Sequence, residues 1–374
     1  MSVEIKPVKN REELRKFIYL PSKIHRNHSN WVPPVYSEEW KYFSPKRNKA
    51  FSACDTTLAL AYRNRDVIGR IMGIIHHRYN EYSNERNGRF AYMECWDDQE
   101  AAHGLLEHAE KWAREKGMKK IVGPMGFSDK NPEAEGFQIE GFEHAPTIAT
   151  YCNLEYIIRL LENEGYTKEV DYVVYKVPIP KEIPDFYKRI NKRVLRGKEF
   201  HLVEFSRRSQ LRPYIRPVFN LLNECFKDSY GFLPISDREG SDLARRYLIF
   251  FDPRFIKIAT RKGEVVSFVL SLPNLSEGFR KARGRLFPFG IFKILRAAKK
   301  TKQLDLLYGA VKEKYRGRGL DVFMGLRMFE EARDAGLEFM DSHHELETNT
   351  RVRNEMEAMK GTIYKRFRVF QKTL

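Results

Sequence analysis

The nine residues Asp341-Ser342-His343-His344-Glu345-Leu346-Glu347-Thr348-Asn349 place two imidazoles and three carboxylates at the end of an apolar run. Such groups exchange protons near neutral pH once burial or a neighbouring charge has tuned them. Read as an extended strand, alternation puts Asp341, His343, Glu345 and Glu347 on one face and Ser342, His344 and Leu346 on the other. Glu345 and His343 are the candidate general bases. His343, Glu345 and Glu347 have the right types for a metal, but neighbouring acids are common and no metal is expected. His76 and His77 fall on opposite sides of a strand and do not form a ligand pair.

A second stretch, Lys314-Tyr315-Arg316-Gly317-Arg318-Gly319-Leu320-Asp321, offers anion chemistry. It follows the apolar segment "LLYGAV" and precedes a helix predicted to start near Leu320. Glycines let a ligand approach the backbone, the first helical amides are unpaired, and the helix dipole is positive there. Lys314, Arg316 and Arg318 add charge. Asp321 opposes it: a carboxylate beside a diphosphate costs on the order of 1 kcal/mol. In the first helical turn it favours the dipole and can point away from the ligand.

The elements that must position these stretches come in two copies. "TTLALAYRNRDVIGRIMGII" (56–75) and "RFIKIATRKGEVVSFVLSL" (254–272) both alternate, turn and alternate again, as hairpins do. Each is followed by a short apolar strand ("FAYME", "LDLLYGAV") and a long amphipathic helix ending at Gly117 or Gly336. Leu326, Phe329 and Ala332, like Leu105, Ala109 and Trp112, have the spacing of a buried helix face. Another strand follows ("KKIVG", "LEFMDSH"). Asn153 and Asn349 then each precede a helix, a glycine twelve residues on (Gly165, Gly361) and an aromatic strand. The halves meet near the proline-rich "VPIPKEIPDF" (177–186), which sets domains of 1–178 and 179–374. The order predicts a mixed α+β or α/β architecture with one mostly antiparallel sheet per half, flanked by helices. The first half carries a Gly- and Pro-rich inserted loop at 123–147.

This order of elements, with Arg316-Gly317-Arg318-Gly319-Leu320-Asp321 after the strand, resembles the GNAT superfamily of acyl-CoA-dependent N-acyltransferases, here as two domains in tandem. That family carries Arg/Gln-x-x-Gly-x-Gly/Ala at this place. Arg316 and Gly319 match, and Asp321 departs. The resemblance implies that Arg316, Gly317, Arg318, Gly319 and Leu320 hold the pyrophosphate of coenzyme A. It implies that the strand from Leu306 to Val311 pairs with the pantetheine arm through Leu307, Gly309 and Val311, and that Asn349 belongs to the cofactor site. Acetyl-CoA or another acyl-CoA is the expected co-substrate, and a small-molecule or peptide amine the acceptor. The family's thiol-protonating tyrosine would fall at Met356 or Glu357, so the substitute is Tyr364. Tyr230 and Phe232 precede the second hairpin, where the family builds its acceptor pocket. The first half has the acidic "ECWDDQEA" in place of the glycine loop and reads as a degenerate copy.

Composition bounds the rest. The chain has 374 residues, 42% of them hydrophobic and 13% aromatic, enough for two folded domains. Residues 1–178 hold 26 basic and 26 acidic residues, so the remaining 41 basic and 24 acidic residues carry the whole net charge of +17. The run from Phe279 to Gln303 has no acid at all. Such a field suits a polyanion: a nucleotide cofactor, nucleic acid, an acidic carrier or a membrane surface. No aromatic-basic pattern of a known nucleic-acid module accompanies it. "FPFGIF" is too short to span a bilayer, and the N-terminal residues do not form a signal peptide. Four scattered cysteines fit a reducing cytoplasm. Two further readings stay open: a fold that binds coenzyme A without turnover, and a transferase that grips tRNA.

Overall fold

The computed structural model describes residues 2–128 and 135–374; residues 129–134 of the inserted segment lie outside the described residues. The first half contributes β1 (Val3–Pro7), the hairpin β2 (Cys54–Arg63) and β3 (Asp66–His76), β4 (Asn87–Cys95), β5 (Lys120–Gly123), β6 (Phe137–Glu140) and β7 (Thr167–Pro178). The second contributes β8 (His201–Val203), the hairpin β9 (Ile256–Arg261) and β10 (Glu264–Pro273), β11 (Gln303–Val311), β12 (Phe339–Asp341), β13 (Glu345–Leu346) and β14 (Thr362–Thr373). Both hairpins close where the sequence places their turns, at Arg63↔Asp66 and Arg261↔Glu264. The inserted segment is not all loop, because β6 lies within it and pairs with β14.

The expectation of one sheet per half is corrected. Among the described residues the fourteen strands form a single sheet, ordered β1-β2-β3-β4-β5-β14-β7-β12-β11-β10-β9-β8, with β13 on β7 and β6 on β14. The last strand of each half has crossed to the other: β14 pairs with β5, and β7 with β12. The two then pair with each other from Thr362↔Lys176 to Gln371↔Thr167. An unpaired edge of that length would expose a row of amides and carbonyls, and the exchange removes it. Among the described residues only β4–β5 and β11–β12 are parallel.

Helices cover both faces. Leu105, Leu106 and Ala109 of the Gln99–Glu115 helix pack with Ala59, Ile71 and Phe90. In the second half Leu326, Phe329 and Ala332 of the Leu320–Asp334 helix pack with Leu304 and Met340, and with Val173 and Tyr175 of the exchanged β7. Each fully buried Leu or Phe contributes roughly 1.5–3 kcal/mol. On the opposite face Val218, Leu221 and Leu222 of the Ile215–Phe226 helix cover Ile256, Ile258 and Phe268. Among the described residues no helix is long and apolar enough to cross a membrane.

Candidate active site

β11 and β12 run in register for only three pairs, ending at Asp305↔Asp341, and then part. Two local features drive the split. The pairing of β11 with β10 jumps from Leu270↔Tyr308 to Ser271↔Leu306, so Leu307 is an extra residue that bends the strand. β12 stops at Asp341, and the chain kinks at His343, whose φ is 62°. A left-handed conformation is uncommon for a side-chain-bearing residue and marks a functional candidate. Ser342 braces the kink: its amide donates to the Tyr175 carbonyl at 3.0 Å, and its hydroxyl accepts from the Tyr175 amide at 2.9 Å. The chain rejoins the sheet as β13, opposite Val173 and Tyr172.

The single alternating face predicted for 341–347 is therefore corrected, because the kink resets the pleat. Asp341 is fully buried in the sheet. His343 turns into a cavity on the Ile215–Phe226 side. Glu345 lies opposite Val173, in the layer of the Leu320–Asp334 helix, and feels the charge of Glu355. Glu347 pairs with Lys168.

At the fork, Lys365 donates to Asp341 Oδ2 at 2.8 Å with both side chains fully buried. Tyr364 donates to the same oxygen. Neighbours on a strand normally point apart, but the β14 register shifts between Ile363 and Lys365, and that bulge lets both reach one carboxylate. Burial is the largest influence and raises the Asp341 pKa, but the Lys365 charge together with the hydrogen bonds from Lys365, Tyr364 and the His343 amide holds the carboxyl below its usual range. Asp305 takes hydrogen bonds from Asn274 and Gln303, yet burial and the Asp341 charge push it well above the ordinary carboxylate range. One lysine compensates one carboxylate, so the other keeps its proton. Burial and Asp341 also raise Tyr364 above the tyrosine range.

Among the described residues His343 is the one imidazole lining an apolar cavity of about 180 Å³. The walls come from the Ile215–Phe226 and Asp237–Tyr247 helices, from β9 to β11, and from Ile148 and Ala149 of the first half. The His343 ring stacks on His344 at 4.9 Å, and His344 stacks on Tyr172 at 5.0 Å. His343 Nδ1 is buried and has no hydrogen-bond partner among the described residues. Burial lowers its pKa to about 4, so the ring is neutral at pH 7.

Glu345 is pushed up to about 8, by burial first and then by Glu355. Native Glu345 thus holds a proton that the unfolded chain releases near pH 4.3. The native state binds more protons between these values, so this group's contribution to stability falls as pH rises from about 4.3 to 8. Glu345→Gln is expected to be more stable than wild type at pH 8, by on the order of 1 kcal/mol given its partial exposure, with the difference shrinking toward pH 4. Urea melts across that range measure it, and equal stability at pH 8 would contradict a protonated native Glu345.

The glycine loop is exposed from Arg316 to Arg318 and leads into a helix whose start, Gly319 and Leu320, is buried. Gly317 (φ 73°) has open space where a side chain would be, and Gly319 (φ 83°) precedes a helix with no side-chain cap. A Cβ on Gly319 would meet Ile190 at 2.6 Å, so this glycine also admits the Asp185–Gly197 helix. The cations are partly engaged: Arg316 Nε donates to the Val311 carbonyl at 3.2 Å, and Arg318 pairs with Glu199 at 3.3 Å. Leu320 is buried. Asp321 sits in the first turn, and its charge is felt by Tyr187 and Glu355. In the first half the equivalent helix start is occupied by the chain itself: Asp98 accepts from the Ala101 amide at 3.2 Å, and Arg63 pairs with Asp98 and Glu100.

The remaining predicted residues separate. Leu307 lines the cavity, Gly309 is exposed, and the Val311 carbonyl is taken by Arg316. Past Asp305 the edge of β11 away from β10 has no strand partner among the described residues, so Leu307, Gly309 and Val311 border an open edge. Asn349 caps its own helix, accepting from the Val352 amide. Met356 is buried in the core under the Leu320–Asp334 helix. Tyr230 and Phe232 pack into cores rather than the cavity, whose walls come from the helices on either side of them. Asp305, Lys365 and the cavity helices did not stand out in the sequence. Asp305, the lone charge in the largely apolar strand Gln303–Val311, was the available signal, whereas Lys365 sits in a strand that also carries Arg366, Arg368 and Lys372 and so gave none. Among the described residues no three His, Cys, Asp or Glu side chains converge as metal ligands would.

No family model matches the chain. The bacterial ceramide synthase of Caulobacter vibrioides (strain NA1000 / CB15N) is 30% identical over 378 residues, spanning 98% of this chain and 97% of that protein. Protein YghO of Escherichia coli (strain K12) is 25% identical, spanning 98% and 94%. Among solved structures, a tandem GNAT protein from the clavulanic acid biosynthesis pathway superposes with a TM-score of 0.56 at 11% identity, covering 100% of this chain and 98% of that one. A GCN5-related N-acetyltransferase from Sphaerobacter thermophilus gives 0.53 at 11% identity, covering 99% and 95%. The fold is a tandem GNAT fold.

Proposed function

This chain belongs to the family of the bacterial ceramide synthase, and from that premise we propose that it moves an acyl group from an acyl-CoA to the primary amine of a long-chain base. The observation that carries the reading is the apolar cavity ending on His343 at the fork of β11 and β12. A cavity with almost wholly hydrocarbon walls suits an alkyl chain, and His343 on its wall marks where a polar group of the ligand belongs.

The residues then divide the work. The cavity helices hold the hydrocarbon chain of the base and leave its amine at His343. His343 accepts the proton released as the amine nitrogen bonds to the thioester carbonyl carbon. Glu345, protonated at neutral pH and on the other side of the split, returns a proton to the departing thiolate as the carbon–sulfur bond breaks. Tyr364, fixed on Asp341, holds the fork rather than reaching the reacting atoms. Leu307, Gly309 and Val311 offer a strand edge to the pantetheine arm. Arg316, Gly317, Arg318 and Leu320 meet the diphosphate at the uncapped helix start, where the room beside Gly317 supports the fit. Met356 in place of the expected tyrosine favours a second reading, binding without turnover.

Thiol release with amines of increasing chain length tests both. Each buried methylene is worth about 0.8 kcal/mol, so four fewer methylenes should lower kcat/KM by roughly 200-fold. Ala244→Phe, which fills the cavity from the Asp237–Tyr247 helix, is expected to shift the preference to shorter amines. Equal rates for short polar and long amines would overturn the lipid reading. Stabilisation by acyl-CoA with no thiol release from any amine would leave binding alone.

A further inference from the structure

We infer that the helical hairpin Ser276–Ala282 and Gly290–Ala298 is a docking surface for an anionic lipid bilayer. Its tip exposes three phenylalanines, Phe287 at 78%, Phe289 at 69% and Phe292 at 67%, with Leu295 beside them. One exposed apolar ring would need no explanation, but three within six residues, with Leu295 beside them, form a patch of the kind that marks an interaction site. Phe289, Phe292 and Leu295 recur every third residue on one side of the second helix, while Gly290, Ile294 and Ala297 are buried on the other. The fold therefore leaves a rigid apolar face turned outward.

Charge identifies the occupant. Arg283, Arg285, Lys293, Arg296, Lys299 and Lys300 surround this face, and none pairs with a carboxylate among the described residues. No acid occurs between Phe279 and Gln303. Aromatic rings among unpaired cations match the boundary of a bilayer, where rings enter the acyl region and cations meet anionic headgroups. A nucleic-acid duplex would use the cations through its phosphates and leave the phenylalanines in water.

The hairpin is also a firm platform. Gly278 packs so closely on Ile294 that a Cβ would lie 2.5 Å from its Cα. Gly284 accepts from the Tyr36 amide, and Arg280 donates to the Ser29 carbonyl. Its inner side reaches the cavity: Leu272, Phe250, Phe251, Ile148 and Leu307 pack with it and also line the cavity wall. On the acyl-transfer reading above, the bilayer would present a lipid base directly to that wall. The docking itself does not depend on that reading.

Flotation of the full chain with vesicles tests it and needs neither acyl-CoA nor amine, so its failure leaves the acyl-transfer reading untouched. Vesicles in which about a third of the lipid is phosphatidylglycerol should bind at least about tenfold more protein than pure phosphatidylcholine, and less as salt rises. The double variants Phe289→Ser/Phe292→Ser and Lys299→Glu/Lys300→Glu change only exposed side chains. Each should lower binding about tenfold with an unchanged circular dichroism spectrum. Equal flotation with neutral vesicles, or unchanged binding by the phenylalanine variant, would overturn the proposal. So would a dimer in light scattering that the phenylalanine variant dissolves while vesicles capture nothing, since the face would then meet a second copy. Retention on tRNA that ignores the phenylalanines, without flotation, would assign the cations to nucleic acid instead.

Discussion

His343→Asn should lower kcat/KM for acyl transfer by about 10²- to 10⁴-fold, the usual contribution of a positioned general base. Asparagine is the informative replacement because it tolerates the left-handed conformation that His343 adopts at φ 62°. The kink, the Ser342 bridge and the cavity should therefore survive, and only the imidazole is lost. Acyl-CoA should bind as before, since the glycine loop is untouched. The neutral ring of His343, lowered to about 4 by burial, also means that native His343 is uncharged where the unfolded histidine still takes a proton. Between about pH 4 and 6.5 the unfolded state binds more protons, so this group's contribution to stability rises with pH across that window. The variant should lack that rise. A rate above about a tenth of wild type would assign the proton to another group.

Lys365→Met should destabilise the fold by about 3–5 kcal/mol at pH 7, because it leaves Asp341 buried beside Asp305 without its compensating charge. The pH dependence separates this from simple loss of packing. In wild type the Asp341 pKa is depressed, so its contribution to stability is present above about 3.9 and is lost as pH falls through the folded value. In Lys365→Met the same carboxyl is raised like Asp305, and acid neutralises it. The gap between variant and wild type should narrow toward pH 4, and adding Asp341→Asn should recover most of the loss at pH 7. Urea titrations at both pH values read this out. A gap that is unchanged in acid, with no recovery in the double variant, would show that the lysine stem rather than its charge is what matters.

Both predictions turn on residues with unequal visibility in the sequence. The hairpins at 56–75 and 254–272, the helix face Leu326-Phe329-Ala332 and the glycine loop are written in local periodicity and turn chemistry, which neighbours within a few residues decide. His343 and Glu345 were legible as candidates because proton-exchanging types cluster at a strand end. Their separation onto opposite sides of the sheet was not, since one residue in a left-handed conformation inverts a pleat and alternation cannot foresee it. In the sequence Asp341 is one of three acids at a strand end; in the fold it is the buried anchor of Tyr364 and Lys365.

By itself the amino-acid sequence determined a duplicated order of strands and helices, a phosphate-type loop in the second copy alone, and an excess of positive charge confined to the second half. Each follows from contacts that are short along the chain. Only the tertiary structure decided that the last strands exchange partners, so that β7 and β14 join two sheets into one. It alone decided that residues more than 190 positions apart, from Ile148 to His343, close one apolar cavity, and that three phenylalanines stay outside a core already filled by Gly290, Ile294 and Ala297. Strand pairing and cavity closure depend on which long-range surfaces fit together, and local pattern carries no record of that fit.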